Sequence, residues 1–197
     1  MSNRLGLLPP ASLSDEQKTA YKTMSESIAT RYGDSKPAPQ FFMEDGSLIG
    51  PYGVLLHHPQ VAPRFQDLVK ALHTIPGLSL YGREVVIAVA GSRSQAAYEN
   101  YAHHIIATKR AGITEDELHE IHAGRCPDTL TDEGKAAFHL ASALGKPEVL
   151  DQAAYDNAVQ VLGKDGAAAV IHYTGFYSYV GILLNGFDVK APPNATT

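Results

Sequence analysis

Ser79-Leu80-Tyr81-Gly82-Arg83-Glu84-Val85-Val86-Ile87-Ala88-Val89-Ala90-Gly91 opens on a residue that can cap a helix. Its six residues from Val85 to Ala90 are apolar on every side of a helical wheel. A helix from Leu80 to about Gly91 is therefore expected to be deeply buried, with no solvated face through its middle. Directly after it, Ser92 with Gln95 reads as a capping box opening a further helix that ends at Gly112. Two helices in succession, the first apolar all round, set the pattern for the chain.

Outward from this pair the same punctuation recurs. Ser14 with Gln17 forms a capping box for a first helix to about Tyr32. The stretch Asp34 to Pro51, rich in Pro and Gly, reads as irregular. A second helix is expected from near Pro59 to before Pro76-Gly77. Thr114 with Glu117 caps another, and further helices are expected over about Asp132–Leu144, Asp151–Leu162 and Asp165–Leu184. The only Asn-Gly pair, Asn185-Gly186, ends an apolar helix instead of joining alternating runs. The expected fold is all-α, a helical bundle of about eight helices, as a single domain over 1–197 with extended tails at about 1–13 and 191–197.

Composition narrows the function. The formal net charge is −5 and no block of Lys or Arg stands out, so a phosphate-neutralising stripe for nucleic acid is not expected. The single cysteine, Cys126, permits neither an intramolecular disulfide nor a CxxC motif. With a polar Met-Ser-Asn-Arg start, the expected compartment is the cytoplasm. Ala167 to Phe187 has the length of a membrane span. It carries His172, Thr174, Ser178 and Asn185 and lacks a basic flank, so a buried helix suited to a subunit interface is the expectation.

Chemistry concentrates on the helix after Gly91. Glu99 and His103 stand four residues apart, one turn along one face. A carboxylate beside an imidazole orients the ring and raises its basicity, an arrangement suited to proton transfer near neutral pH. The same spacing also describes a surface ion pair worth a few tenths of a kcal/mol. Glu84 sits at the entrance to the apolar run, where a carboxylate must be paired or held protonated. It also fits a helix-entrance carboxylate facing the helix dipole, with Arg83 as a solvated partner.

The series Arg83-Glu84, apolar helix, Tyr98-Glu99-x-x-x-His103 and Ala111-Gly112-Ile113-Thr114-x-x-Glu117 resembles the carboxymuconolactone decarboxylase family, whose superfamily includes the AhpD-type alkylhydroperoxidases. Leu7-Leu8-Pro9-Pro10, Asp45-Gly46…Gly50-Pro51-Tyr52, His58-Pro59 and Gly175-Phe176-Tyr177…Asn185 extend the resemblance to a decarboxylase-like subgroup over most of the chain. The resemblance implies an AhpD-like helical bundle, a homo-oligomer such as a trimer or hexamer, and cofactor-independent chemistry on a small-molecule substrate. It implies Glu84, Glu99 and His103 as catalytic residues, with Tyr52, Tyr98 and Tyr177 contacting substrate and Gly50-Pro51-Tyr52 as a lid or wall. The implied reaction is decarboxylation, isomerisation or a related lyase step on a carboxylated lactone or carbonyl compound. In the peroxidase branch a CxxC precedes the histidine; Ala96 and Glu99 stand at those positions here, leaving no thiolate to attack a peroxide. A non-catalytic binder on the same scaffold is the other alternative. The subgroup often carries Trp where Asn100 stands, a departure that bears on pocket shape.

His57-His58, His103-His104 and His119-x-x-His122 have spacings that could meet a metal, yet no complete ligand set is legible, and no metal is expected. Tyr173, Phe176, Tyr177 and Tyr179 crowd the last helix, mainly as packing, with one hydroxyl available as a proton donor.

Overall fold

Glu84 to Gly91 are buried at every position, and the helix that carries them, Leu80–Ser94, is the axle of the molecule. The computed structural model describes residues 3–33 and 36–193. In chain order the helices are α1 (Asp15–Tyr32), α2 (Gly50–Leu55), α3 (Ala62–His73), α4 (Leu80–Ser94), α5 (Ala97–Ile106), α6 (Glu115–His122), α7 (Asp132–Leu144) and α8 (Gln152–Gly186). A 3-10 turn, Pro10–Ser12, precedes α1, and a π turn, Ala107–Ala111, extends α5 to the left-handed Gly112. Among the described residues the sole β pairing is an isolated bridge between Phe42 and Leu48. The all-α expectation holds.

α4 packs against α5, α6, α7 and α8, and α7 and α8 close on each other around it. Each fully buried Val or Ile on α4 contributes roughly 1.5–3 kcal/mol through removal of its side chain from water. Its start is fixed from two directions. The Ser79 hydroxyl accepts from the Gly82 N–H, while Glu133 at the head of α7 accepts from the Ser79 amide and hydroxyl at 2.7 and 2.8 Å. The capping boxes at Ser14 and Thr114 form as the spacing predicts.

Two expectations change. The Ser92–Gln95 box does not form, because α4 continues to Ser94 and Gln95 takes the left-handed conformation, φ 50°. Both side chains serve the end of α4 instead: Ser92 donates to the Val89 carbonyl and Gln95 to the Ser92 carbonyl. α5 then starts at Ala96 with no side-chain cap. The Gly50-Pro51-Tyr52 segment is no lid; it is the first turn of α2, buried throughout, and serves as a wall. Gly50 is required there on two counts, its φ of 64° and the Tyr98 ring lying where a Cβ would stand. The two helices expected over Asp151–Leu162 and Asp165–Leu184 both form, as the two arms of α8 on either side of a kink at Gly163, φ 69° and ψ 173°.

α8 passes the length and composition test for a membrane span, with mean hydropathy 1.3 over its most apolar window. In the folded chain it is two-sided. Ala167, Ala169, Val170, Tyr173, Val180 and Leu184 are buried against the bundle, and Ile171, Tyr179 and Ile182 face outward. The leading residues, expected to be extended, include a turn at Arg4-Leu5 and are anchored to the bundle. Arg4 bonds the carbonyls of Gly186 and Phe187, His57 Nε2 meets the Gly6 carbonyl at 3.0 Å, and Leu5, Leu7 and Leu8 pack on the core. Residues 1–2 and 194–197 of the expected tails lie outside the described residues.

Candidate functional site

α4 supplies Glu84 and α5 supplies Glu99 and His103, and the packing of these two helices brings all three side chains together. His103 Nδ1 stands 2.8 Å from Glu84 Oε2 and donates to it. His103 Nε2 stands 3.3 Å from Glu99 Oε1, at ion-pair distance but out of line for a hydrogen bond. Glu99 Oε1 is thus buried without a hydrogen-bonding partner among the described residues. The side chains are 17% exposed for His103, 4% for Glu84 and 6% for Glu99, so solvent screens them little.

Burial by itself would drive the proton off His103, but the charges of Glu84 and Glu99 and the Glu84 hydrogen bond outweigh it and lift the pKa to about 9. Burial raises the Glu99 pKa; His103 opposes this and Glu84 adds to it. The site therefore holds an imidazolium at neutral pH between two carboxyl groups, one hydrogen-bonded and one not. Tyr177 covers the ring edge-to-face, centroids 5.0 Å apart. Burial, with the Glu99 and Glu84 charges behind it, keeps the Tyr177 hydroxyl protonated well past its ordinary range.

Two chambers meet at His103, of about 50 and about 200 Å³, sharing Arg31, Tyr32, His103, Ile106 and Tyr177. Glu99 lines the smaller and Glu84 the larger, so the imidazolium stands where both open. The larger chamber is also lined by Arg31, Arg83 and Arg110, drawn from α1, α4 and the π turn. None of the three makes an ion pair with a carboxylate among the described residues. Arg83 lies over the Tyr173 ring at 5.7 Å and Arg110 over Tyr32 at 5.5 Å. The Tyr173 hydroxyl, on the same lining, is buried and unpaired. A chamber with three cations and an unpaired hydroxyl is suited to a small anion bearing further oxygen atoms.

Of the tyrosines picked out from sequence, Tyr52 and Tyr177 line the chambers. Tyr98 offers only its ring, because its hydroxyl donates to the Gln40 carbonyl at 2.7 Å. Arg83 is not paired with Glu84 within ion-pair distance; its Nε donates to the Leu78 carbonyl at 3.1 Å. Arg31, Tyr32, His73 and Arg110 escaped the sequence reading, and no local spacing links them to the Glu99–His103 pair, since they come from α1, α3 and the π turn. Asn100 packs against Gly91, whose added Cβ would lie 2.5 Å from Asn100 Oδ1; it lines neither of these chambers but a small third cavity that also reaches Glu84, Glu99 and His103. His104, His119 and His122 line a separate cleft of about 460 Å³. Cys126 lines neither chamber, and burial pushes its thiol pKa up.

Residues 59–143 match the model of the Carboxymuconolactone decarboxylase family. No curated protein matches the chain. Among solved structures, the alkylhydroperoxidase AhpD core of an uncharacterized peroxidase-related protein from Ralstonia eutropha JMP134 is similar, with a TM-score of 0.68. It is 15% identical, and the match covers 98% of this chain and 94% of that one. The debrominase Bmp8 in complex with 2,3,4-tribromopyrrole, as a variant, matches with a TM-score of 0.64 at 15% identity, over 91% of this chain and 87% of that one. The apo form gives 0.65 at 14% identity over the same shares. At such identities these structures establish a common fold.

Proposed function

We propose that this chain, whose residues 59–143 match the carboxymuconolactone decarboxylase family model, performs cofactor-independent acid/base chemistry on a small carboxylated lactone or carbonyl compound. The observation that carries the reading is His103, an imidazolium wedged between two buried carboxyl groups at the wall of an arginine-lined chamber. The arginines hold a substrate carboxylate by charge-assisted hydrogen bonds. His103 faces the reacting carbonyl system as proton donor, Glu84 fixes the orientation of its ring, and Glu99 adds charge stabilisation to it. When a C–C bond to a carboxylate breaks, its electron pair enters the conjugated carbonyl as an enolate. The imidazolium stabilises that charge and then delivers a proton to carbon, and solvent restores it. The peroxidase alternative lacks a thiolate at Ala96 and Glu99.

The test is a screen of decarboxylation and isomerisation on carboxylated lactones and conjugated keto acids, with His103→Gln as control. Turnover dependent on His103 supports the reading. Tight binding of such acids with no turnover favours a binder, and neither binding nor turnover removes the proposal.

We also propose that the chain assembles with copies of itself. Ile171, Tyr179 and Ile182 lie exposed on α8, an apolar surface suited to a self-complementary contact. Light scattering at low concentration tests this, and a stable 21.1 kDa species would overturn it.

A further inference from the structure

Resting on the reading above, we propose that His73 is a second catalytic residue: its Nε2 removes a proton from the substrate held in the chamber where His103 supplies one. His73 ends α3 and lines the larger chamber together with His103. Its Nδ1 lies 2.6 Å from the Val69 carbonyl. A carbonyl oxygen only accepts, so Nδ1 carries the hydrogen and the lone pair of the neutral ring sits on Nε2. Nε2 has no hydrogen-bonding partner among the described residues.

One wall of the chamber links the two imidazoles. His73 meets Tyr173 edge-on at 6.3 Å, Tyr173 stacks on Tyr177 at 6.1 Å, and Tyr177 meets His103 at 5.0 Å. A planar conjugated acid in this chamber would lie against the aromatic wall between the two rings, its carboxylate among Arg31, Arg83 and Arg110.

The surroundings separate the two rings chemically. His103 has two carboxyl groups against it. Around His73 the charged groups are Arg31 from α1 and Arg83 and Glu84 from α4, with Tyr173 from α8. Burial draws the His73 pKa below its ordinary value; the Val69 hydrogen bond opposes this, the two arginines reinforce it, and Glu84 opposes it. Two imidazoles pushed apart in this way divide into a base and an acid.

The proton balance follows. A C–H bond next to the substrate carbonyl breaks, its proton goes to His73 Nε2, and its electron pair enters the conjugated system as an enolate. His103 protonates that system at another atom. His73 sits at the open rim and releases its proton to water, and His103 recovers one. Nothing is oxidised or reduced. Loss of carbon dioxide alone needs only a donor, so a base in the same chamber points to a proton-shift isomerisation.

Phenylpyruvate is a suitable probe, with a carboxylate, a conjugatable carbonyl and an acidic benzylic C–H. Its binding is measured by calorimetry and its benzylic exchange by proton NMR in deuterium oxide, for wild type, His73→Gln and His103→Gln. The wild type should bind and exchange, with a rate that rises with pH as His73 deprotonates and falls near pH 9 as His103 does. His73→Gln should bind comparably, exchange roughly 10²–10⁴-fold more slowly, and lose the acidic limb of the profile. Undiminished exchange in His73→Gln, or binding without exchange in the wild type, overturns the role of His73 and leaves the carboxylate site standing. Absence of binding removes the carboxylate site and this inference with it. Nitrogen-15 NMR of the histidines gives a readout independent of turnover. At pH 7, His73 should show a bare Nε2, and a protonated Nε2 would overturn the assignment.

Discussion

His103 and His104 are neighbours on α5, and each meets a carboxylate, His103 with Glu84 at 2.8 Å and His104 with Glu115 at 3.1 Å. Their distances nearly agree; their surroundings do not. Glu84 is 4% exposed, whereas Glu115 is 58% exposed and shares its charge with Lys109 at 3.6 Å. His103 also has Glu99 against its other nitrogen. One charge pair in water at such a distance is worth about 1 kcal/mol, and several-fold more where water is excluded. The same residue types at similar distances thus make a solvated ion pair on one side of α5 and a strongly perturbed acid/base group on the other.

The largest expected effect is on catalysis. His103→Gln and Glu84→Gln should each lower turnover by roughly 10²–10⁴, the range for loss of a positioned proton donor or its orienting group. His104→Gln should turn over normally. Equal losses at 103 and 104 in steady-state kinetics would erase the distinction between the two sites.

Stability comes next. His103→Gln strands two buried carboxyl groups and should cost about 3–5 kcal/mol, measured by urea unfolding. His104→Gln should cost no more than about 1 kcal/mol, as for an exposed pair. Glu99→Gln should change stability little, because it removes the attraction to His103 together with the repulsion from Glu84 and leaves a buried amide in the same place. A large loss in Glu99→Gln would show that Glu99 is as firmly paired as Glu84.

A pH series separates the sites further. The folded state holds the His103 proton to about pH 9, above its ordinary value of 6.5. This stabilisation is complete below pH 6.5 and is lost as pH rises through 9, up to about 3 kcal/mol. The raised Glu99 pKa acts in the same direction, stabilising below its unfolded value and fading as pH rises through the folded one. Melting temperature should therefore fall between pH 7 and 9.5 in wild type and in His104→Gln, and much less in His103→Gln. A parallel fall in all three would place the titrating group elsewhere. The smallest effect is expected at Cys126→Ser, which lies outside both chambers: rate should be unchanged with or without reductant. Loss of activity there would bring the thiol into the mechanism.

The helices were largely legible because local rules govern them. Ser14, Thr114 and Ser79 cap helices as their spacing predicts, since a cap needs only residues within one turn. α2 was misread because Gly50, Pro51 and Gly53 carry a loop composition, while the structure uses their smallness for close packing. The Ser92–Gln95 box failed because a left-handed Gln95 satisfied the end of α4 with the same side chains. Within the site, Glu99 and His103 were paired by an i,i+4 interval, and Glu84 stood out as a carboxylate leading an apolar run. His73 and the three arginines had no such signal.

The sequence by itself determined the all-α class, most helix positions and the one-turn alignment of Glu99 with His103, because these depend on hydrogen bonds and periodicities that close within a few residues. Only the tertiary structure decided that Glu84, nineteen positions before His103, takes its other nitrogen, that Arg31, Arg83 and Arg110 surround one chamber, and that His103 meets buried carboxyl groups where His104 faces a solvated one. Burial and charge coupling depend on which helix faces cover which, and those contacts join residues far apart in the chain.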